Sequence, residues 1–157
     1  LNKLDHLQAI VEQRPEPVVW FKHSPLHTRQ AYLDFSEGAG VRGLVQYMQD
    51  FFFFTNNGLT YEFHGLTQDA RYFVSVRYPV SVPFLMELDG FTLPPNNINP
   101  QAIAIPAWPG DFEGQRQVIE QYNTEALRLF GQMPEQDVLP NLALLDRLVQ
   151  SIRIGQP

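Results

Sequence analysis

Two stretches near the middle of the chain alternate strictly. Leu59, Tyr61 and Phe63 alternate with Thr60, Glu62 and His64. Tyr72, Val74, Val76 and Tyr78 alternate with Phe73, Ser75 and Arg77. A period of two sends successive side chains to opposite faces, so each stretch predicts a strand with one buried face. The polar residues 65–70 between them predict a hairpin turn. Asn56-Asn57-Gly58 is a turn ahead of this hairpin, and Pro79 and Pro83 oppose any further central pairing after it.

The pattern upstream is less decided. Val41, Gly43, Val45 and Tyr47 alternate as in a strand, yet Val41, Leu44, Val45 and Met48 also fit a helix. Gly38 and Gly40 supply positive φ for a turn after residues 30–35, which favours a hairpin. Nearer the start, Leu4, Leu7, Ile10 and Val11 fall at helical spacing until Pro15 and Pro17. Val18-Val19-Trp20-Phe21 predicts a short strand or extended segment.

The last third changes period. Val118, Ile119, Tyr122, Ala126, Leu129 and Phe130 line one face of a helix that Asp111 caps and Gly131 and Pro134 stop. A second helix starts near residues 137–140, with Pro140 in its first turn and a stripe of Leu142, Leu145, Leu148, Val149 and Ile152. Between the two regimes, residues 87–100 form a long loop of the kind that tends to be functional or mobile. Ile103 and Ile105 mark one more short strand. Strands gathered in the middle and helices at the end predict an α+β fold: an antiparallel sheet packed against the C-terminal helices.

Composition narrows the picture. The 157 residues include 44% apolar and 18% charged side chains, enough apolar surface for a single domain with its own core. There is no cysteine, which removes disulfides, thiol catalysis and thiolate metal sites. The formal net charge is −6, nearly all of it carried by residues 80–157. The cations are scattered, so nothing offers the basic patch of a nucleic-acid binder. No apolar run is longer than Phe51-Phe52-Phe53-Phe54, far below the ~20 residues of a membrane helix. The sequence begins at Leu1, so a targeting segment preceding it is an open expectation.

The ending from Pro140 to Ile154 resembles the final helix and exit of PsbP-like extracytoplasmic domains. Tyr72-Phe-Val-Ser-Val-Arg-Tyr-Pro-Val-Ser81 resembles segments of uncharacterised secreted bacterial proteins. The resemblance implies an α-β sandwich, a secreted or lipid-anchored location, and an accessory or binding role without catalysis. It carries over no functional residue.

Chemistry-bearing residues are few. His23 and His27 are four apart, but Pro25 between them spoils the helical face a zinc pair needs. His64 stands beside Glu62 on the polar phase of its strand, where an exposed histidine is the ordinary outcome and a general base the sharper one. Ser24, Ser36, Ser75, Ser81 and Ser151 lack any nucleophile motif, and no phosphate-binding loop or H-E-x-x-H occurs. Asp111 with Glu113 reads as a helix start, and Glu87 with Asp89 as a loop. The aromatics are the remaining candidates. Phe51, Phe52, Phe53, Phe54, Trp20 and Trp108 either fill the core or form an apolar groove for a protein partner or small apolar ligand. The expectation is therefore a binding or protein-interaction domain with no cofactor and no metal. Its competitors are a hydrolase-like enzyme, in which a histidine meets a serine or carboxylate in a cleft, and a structural oligomerisation module.

Overall fold

Strand β1 (Leu26–Phe35) turns through Ser36 and Glu37 into β2 (Gly38–Gln46), and β3 (Leu59–Thr67) returns as β4 (Phe73–Pro79). The computed structural model describes residues 26–48, 52–90 and 92–155. The expected segments at 3–13 and 18–21, together with Trp20, His23, Ser24 and Phe51, lie outside them. The four strands form one antiparallel sheet in the order β1-β2-β3-β4. Helices α1 (Phe112–Gln132) and α2 (Leu142–Gln150) follow. The fold is α+β.

One face of the sheet carries Leu26, Leu33, Phe35, Leu44, Leu59, Tyr61 and Phe63, all buried in a core shared with Val118, Ile119, Tyr122, Ala126 and Phe130 of α1 and Leu142, Leu145 and Val149 of α2. Asp111 caps α1 by accepting from the Gly114 N–H at 2.7 Å, and Asn141 caps α2 by accepting from Ala143 N–H at 2.9 Å. These bonds satisfy donors that a helix start leaves without partners. The stripe on α2 is narrower than the sequence suggests. Leu148 sits about 100° around the helix from Val149, which turns it into solvent. Pro140 precedes the cap rather than entering the first turn.

Two further expectations need correcting. Gly38 and Gly40 do not make the turn; they lie within β2, opposite Thr67 and Gly65. A Cβ on Gly40 would overlap the His64 carbonyl and the Gly65 Cα, and would stand 2.7 Å from Phe63 Cζ. The glycines are bare backbone on which the Phe35 and Phe63 rings lie, packed edge to face with centroids 6.0 Å apart. Ile103 and Ile105 form no strand. Ile103 donates one backbone bond to Phe84 O at 2.9 Å, and both isoleucines pack against the core from an irregular segment.

The stretch from 80 to 110 is laced by asparagine side chains that act as substitute backbone. Asn56 accepts from Val82 N–H and donates to the Val82 and Leu85 carbonyls. Asn57 exchanges both bonds with Leu88, and Asn99 donates to the Pro83 and Leu85 carbonyls. The long loop thus closes the core over Val82, Leu85 and Met86.

Candidate functional site

The aromatic candidates divide. Phe53 and Phe54 are buried in the core, and Phe52 and Trp108 are half-buried against it. Phe53 is the centre of the group: its ring meets Tyr122 at 5.1 Å, Phe52 at 5.4 Å and Trp108 at 5.9 Å. Asn123 of α1 clamps the segment, donating to Phe52 O and accepting from Phe54 N–H, both at 2.9 Å. Tyr122 Oη accepts from Met86 N–H at 2.9 Å, and burial lifts its phenol to about 12. These rings join α1 to the sheet, and only Phe52 and Trp108 keep an edge towards the surface.

A polar cluster lies on the other face of the sheet, where the register brings Glu62 opposite Arg77 and His64 opposite Ser75. Glu62 is 1% exposed. Burial pushes its carboxyl up, but the bonds from His64, Tyr47 and Arg77 outweigh it and hold the group below its usual value. Arg77 Nε and Nη2 donate to Oε1 at 2.6 and 2.5 Å. Tyr47 Oη donates to Oε2 at 2.9 Å, and His64 Nε2 lies 3.2 Å from the same oxygen. Arg77 also sits 5.3 Å from the Tyr47 ring centroid, a cation–π contact. The Ser75 hydroxyl lies 3.4 Å from His64 Nδ1, and the His64 ring stacks on Phe73 at 5.7 Å.

Serine, imidazole and carboxylate therefore stand in line, with the proton on His64 Nε2 satisfying both contacts. This is the meeting that the hydrolase-like alternative asks for. Its chemistry differs from a nucleophilic triad in two respects. The Glu62 charge is already compensated by the Arg77 guanidinium, which weakens its support for an imidazolium. The edge N–H groups around Ser75 lie in the plane of the sheet, across the direction of its side chain, so they do not converge beside Oγ as oxyanion donors must.

The more unusual feature is the strand that carries these residues. Among the described residues β4 is an edge of the sheet. Thr67 N–H donates to Tyr72 O, and Val80 N–H donates to Leu59 O. Antiparallel pairing alternates, so between these bonds the even residues 74, 76 and 78 face β3. Phe73, Ser75 and Arg77 then turn their N–H and C=O groups to the side away from β3, until Pro79, which has no N–H. Tyr72, Phe73 and Tyr78 are 45%, 42% and 43% exposed along this edge. The β1 edge is different: its register shifts between Thr28 and Ala31, where Arg29 adopts φ 54°. Such a bulge distorts an edge and discourages pairing.

A second polar site lies at the turn end of the sheet. Ser36, Glu37, Thr67, Asp69, Arg71, Tyr72 and the exit at Ile154 line a cavity of about 560 Å³. Its carboxylates are engaged locally. Glu37 accepts from Ser36 and from Ile154 N–H, and Asp69 from Thr67 Oγ1 at 2.6 Å and Arg71 N–H at 3.1 Å. Those bonds hold both acids below the usual range. Among the described residues no group of three or more histidines and acids is placed to hold a metal ion, and no helix is long and apolar enough to cross a membrane. His27 is exposed at the start of β1. Comparison with protein-family models, with curated proteins and with solved structures finds no match to this chain.

The alternation sets His64 beside Glu62 on a phase expected to face solvent, whereas the structure buries Glu62. The signal for the buried carboxylate was the hairpin register. Folding residues 59–67 back on 73–79 sets Glu62 against Arg77, an opposite-charge cross-strand pair.

Proposed function

We propose that this chain is a protein-interaction module that binds an extended segment along β4, adding a strand to its sheet. The observation that carries the reading is a strand that is an edge among the described residues, with backbone groups of Ser75 and Arg77 turned away from β3 and half-exposed rings at Tyr72, Phe73 and Tyr78. Main-chain bonds along such an edge supply affinity, and alternate side chains supply selectivity. Proteins that avoid pairing guard their edges with bulges, prolines or lysines. Here β1 has its bulge, whereas among the described residues of β4 the guard is Pro79 at its end. Arg77, pinned by Glu62 and Tyr47, gives the strand a fixed cationic contact. The reading keeps the extracytoplasmic setting and the non-catalytic role implied by the PsbP-like ending.

The test uses Ser75→Pro. Its N–H points away from β3, so proline there leaves the ladder to β3 intact while removing an outward donor. Random peptides displayed on phage are selected on the wild-type chain and then measured on the variant. Peptides that bind the wild type and lose about tenfold or more in affinity on the variant support strand addition, since one missing backbone bond is worth ~1 kcal/mol and the ring adds a clash. Selected peptides that bind both proteins equally place the contact elsewhere and overturn it.

A further inference from the structure

We infer that Arg29 binds a small carboxylate through the side-on edge of its guanidinium. The site lies on β1, at the other end of the described sheet from β4, and does not depend on what β4 binds. Its first mark is an orphaned pair of donors. Nε and Nη2 of Arg29 are closed off from water and have no hydrogen-bond partner. These two nitrogens form one edge of the guanidinium. Their N–H bonds run parallel, as the fork that matches the two oxygens of a carboxylate. Nη1 is not closed off in this way, and the residue is half-buried, so the group keeps a side towards solvent. The second mark is the backbone. Arg29 stands in the bulge between Thr28 and Ala31 at φ 54°. A residue with a Cβ is uncommon there, and positions held in such conformations cluster at ligand clamps. Arg42 Nη1 donates to the Arg29 carbonyl and ties the bulge to β2.

The charge finds no relief among the described residues. An arginine is not deprotonated in proteins, so burial does not neutralise it as it can a lysine or a histidine. A cation drawn out of water without a counter-ion is costly. The two carboxylates that Arg42 brings to this place are already taken: Asp146 by Arg42 and Tyr61, and Glu135 by Arg42. None of them bonds Arg29. What the fork lacks is an acceptor with two oxygens in one plane.

A carboxylate meets that demand better than a phosphate. It presents two coplanar oxygens to two N–H groups and brings a single negative charge, equal and opposite to the one it meets. A phosphate brings more charge to desolvate, with one guanidinium to receive it. Size limits the strength. A ligand as small as acetate has few atoms with which to bind, which puts Kd on the order of 5 mM. A larger acid with further contacts would bind more tightly through the same fork.

The experiment is thermal unfolding of the whole chain in about 100 mM sodium acetate, chloride or inorganic phosphate. Acetate should raise the wild-type midpoint over chloride by roughly 4–7 °C. Arg29→Met keeps the stem and removes the fork. It should unfold higher than the wild type in chloride, because the unpaired charge is gone, and gain nothing specific from acetate. Subtracting its response cancels the general effect of each salt on folding. Arg29→Lys keeps the charge without the fork and should gain less than half as much as the wild type. An Arg29→Met variant that gains as much from acetate as the wild type overturns the site, and so does one that is less stable than the wild type in chloride. A corrected response larger for phosphate than for acetate overturns the carboxylate, and an Arg29→Lys variant that responds like the wild type overturns the fork. Magnetic resonance of the nitrogen-labelled wild type decides the matter even where a variant does not fold. The Arg29 Nε–H signal should shift and saturate with acetate and stay in place with chloride; a signal that acetate leaves unmoved overturns the proposal.

Discussion

Replacing Arg42 with methionine tests what holds α2 to the sheet. Arg42 lies on the helix-facing side of β2 with its side chain 6% exposed. Its Nη2 donates to Glu135 Oε1 at 3.1 Å and to Asp146 Oδ2 at 3.3 Å, Nε lies 3.3 Å from Asp146 Oδ1, and Nη1 donates to the Arg29 carbonyl at the β1 bulge. Asp146 also accepts from Tyr61 Oη at 3.0 Å. Methionine fills the stem but leaves a carboxylate largely out of water with one neutral donor. Breaking a buried pair costs ~3–5 kcal/mol, and the half-exposed Glu135 puts this case near ~3 kcal/mol. Replacing both partners, Arg42→Met with Asp146→Leu, leaves no orphaned charge, so the double variant should lose roughly 1 kcal/mol or less. Urea unfolding followed by circular dichroism measures all three. The penalty depends on pH with a definite sign. Burial raises the Asp146 carboxyl, and Arg42 and Tyr61 pull it partly back. A raised folded value means that its contribution is intact below the unfolded value of ~3.9 and is lost as pH rises through the folded one. Removing Arg42 raises the folded value further. The deficit of Arg42→Met should therefore be larger at pH 7 than at pH 4. A deficit that is equal at both pH values, or a double variant as unstable as the single one, would refute this account of the clasp.

Two other perturbations separate the faces of the sheet. Glu62→Gln should cost ~2 kcal/mol at pH 7, because Arg77, Tyr47 and His64 lose a charged acceptor. The Glu62 carboxyl is held low, so its contribution is present above the unfolded value of ~4.3 and lost as pH falls through the folded value. Thermal unfolding at a series of pH values should show the gap between wild type and variant narrowing below pH 4. Gly40→Ala should destabilise by roughly 3 kcal/mol, since backbone on β3 cannot yield to the added methyl. Gly131→Ala, in open space near the end of α1, should stabilise by ~0.5–1 kcal/mol in the same urea assay.

The contrast between β2 and β3 explains what the sequence could and could not reveal. β4 alternates because one of its faces meets the core and the other meets solvent. β3 alternates on its helix side through Leu59, Tyr61 and Phe63. β2 is buried on both faces along its whole length, so apolar residues fall in both phases and its pattern fits a helix as well as a strand. Its glycines read as turn formers because close packing of rings on backbone leaves no mark in a one-dimensional pattern. The same limit hid Asn56, Asn57 and Asn99, whose bonds reach residues up to 31 positions away. Asp111 and Asn141 act on residues two or three positions away, and Asp111 was legible for that reason. The phenylalanine run was ambiguous because its density matched both a core and a groove; Phe53 and Phe54 went to the core through their packing on α1.

Glu62 is a buried carboxylate paired with a largely exposed arginine. A buried carboxylate is costly, and apolar residues at 62 and 77 would serve stability as well or better. What the ion pair does instead is fix a guanidinium. An arginine on an edge strand ordinarily samples many rotamers, and ordering it on contact would cost ~2 kcal/mol. Glu62 and Tyr47 hold Arg77 before any contact is made. They do so through its side chain, on the face of the sheet opposite the helices. The bulge in β1, the two-sided burial of β2 and the anchored arginine on β4 thus make the two ends of the described sheet unlike: one is distorted, and the other carries a guanidinium already ordered.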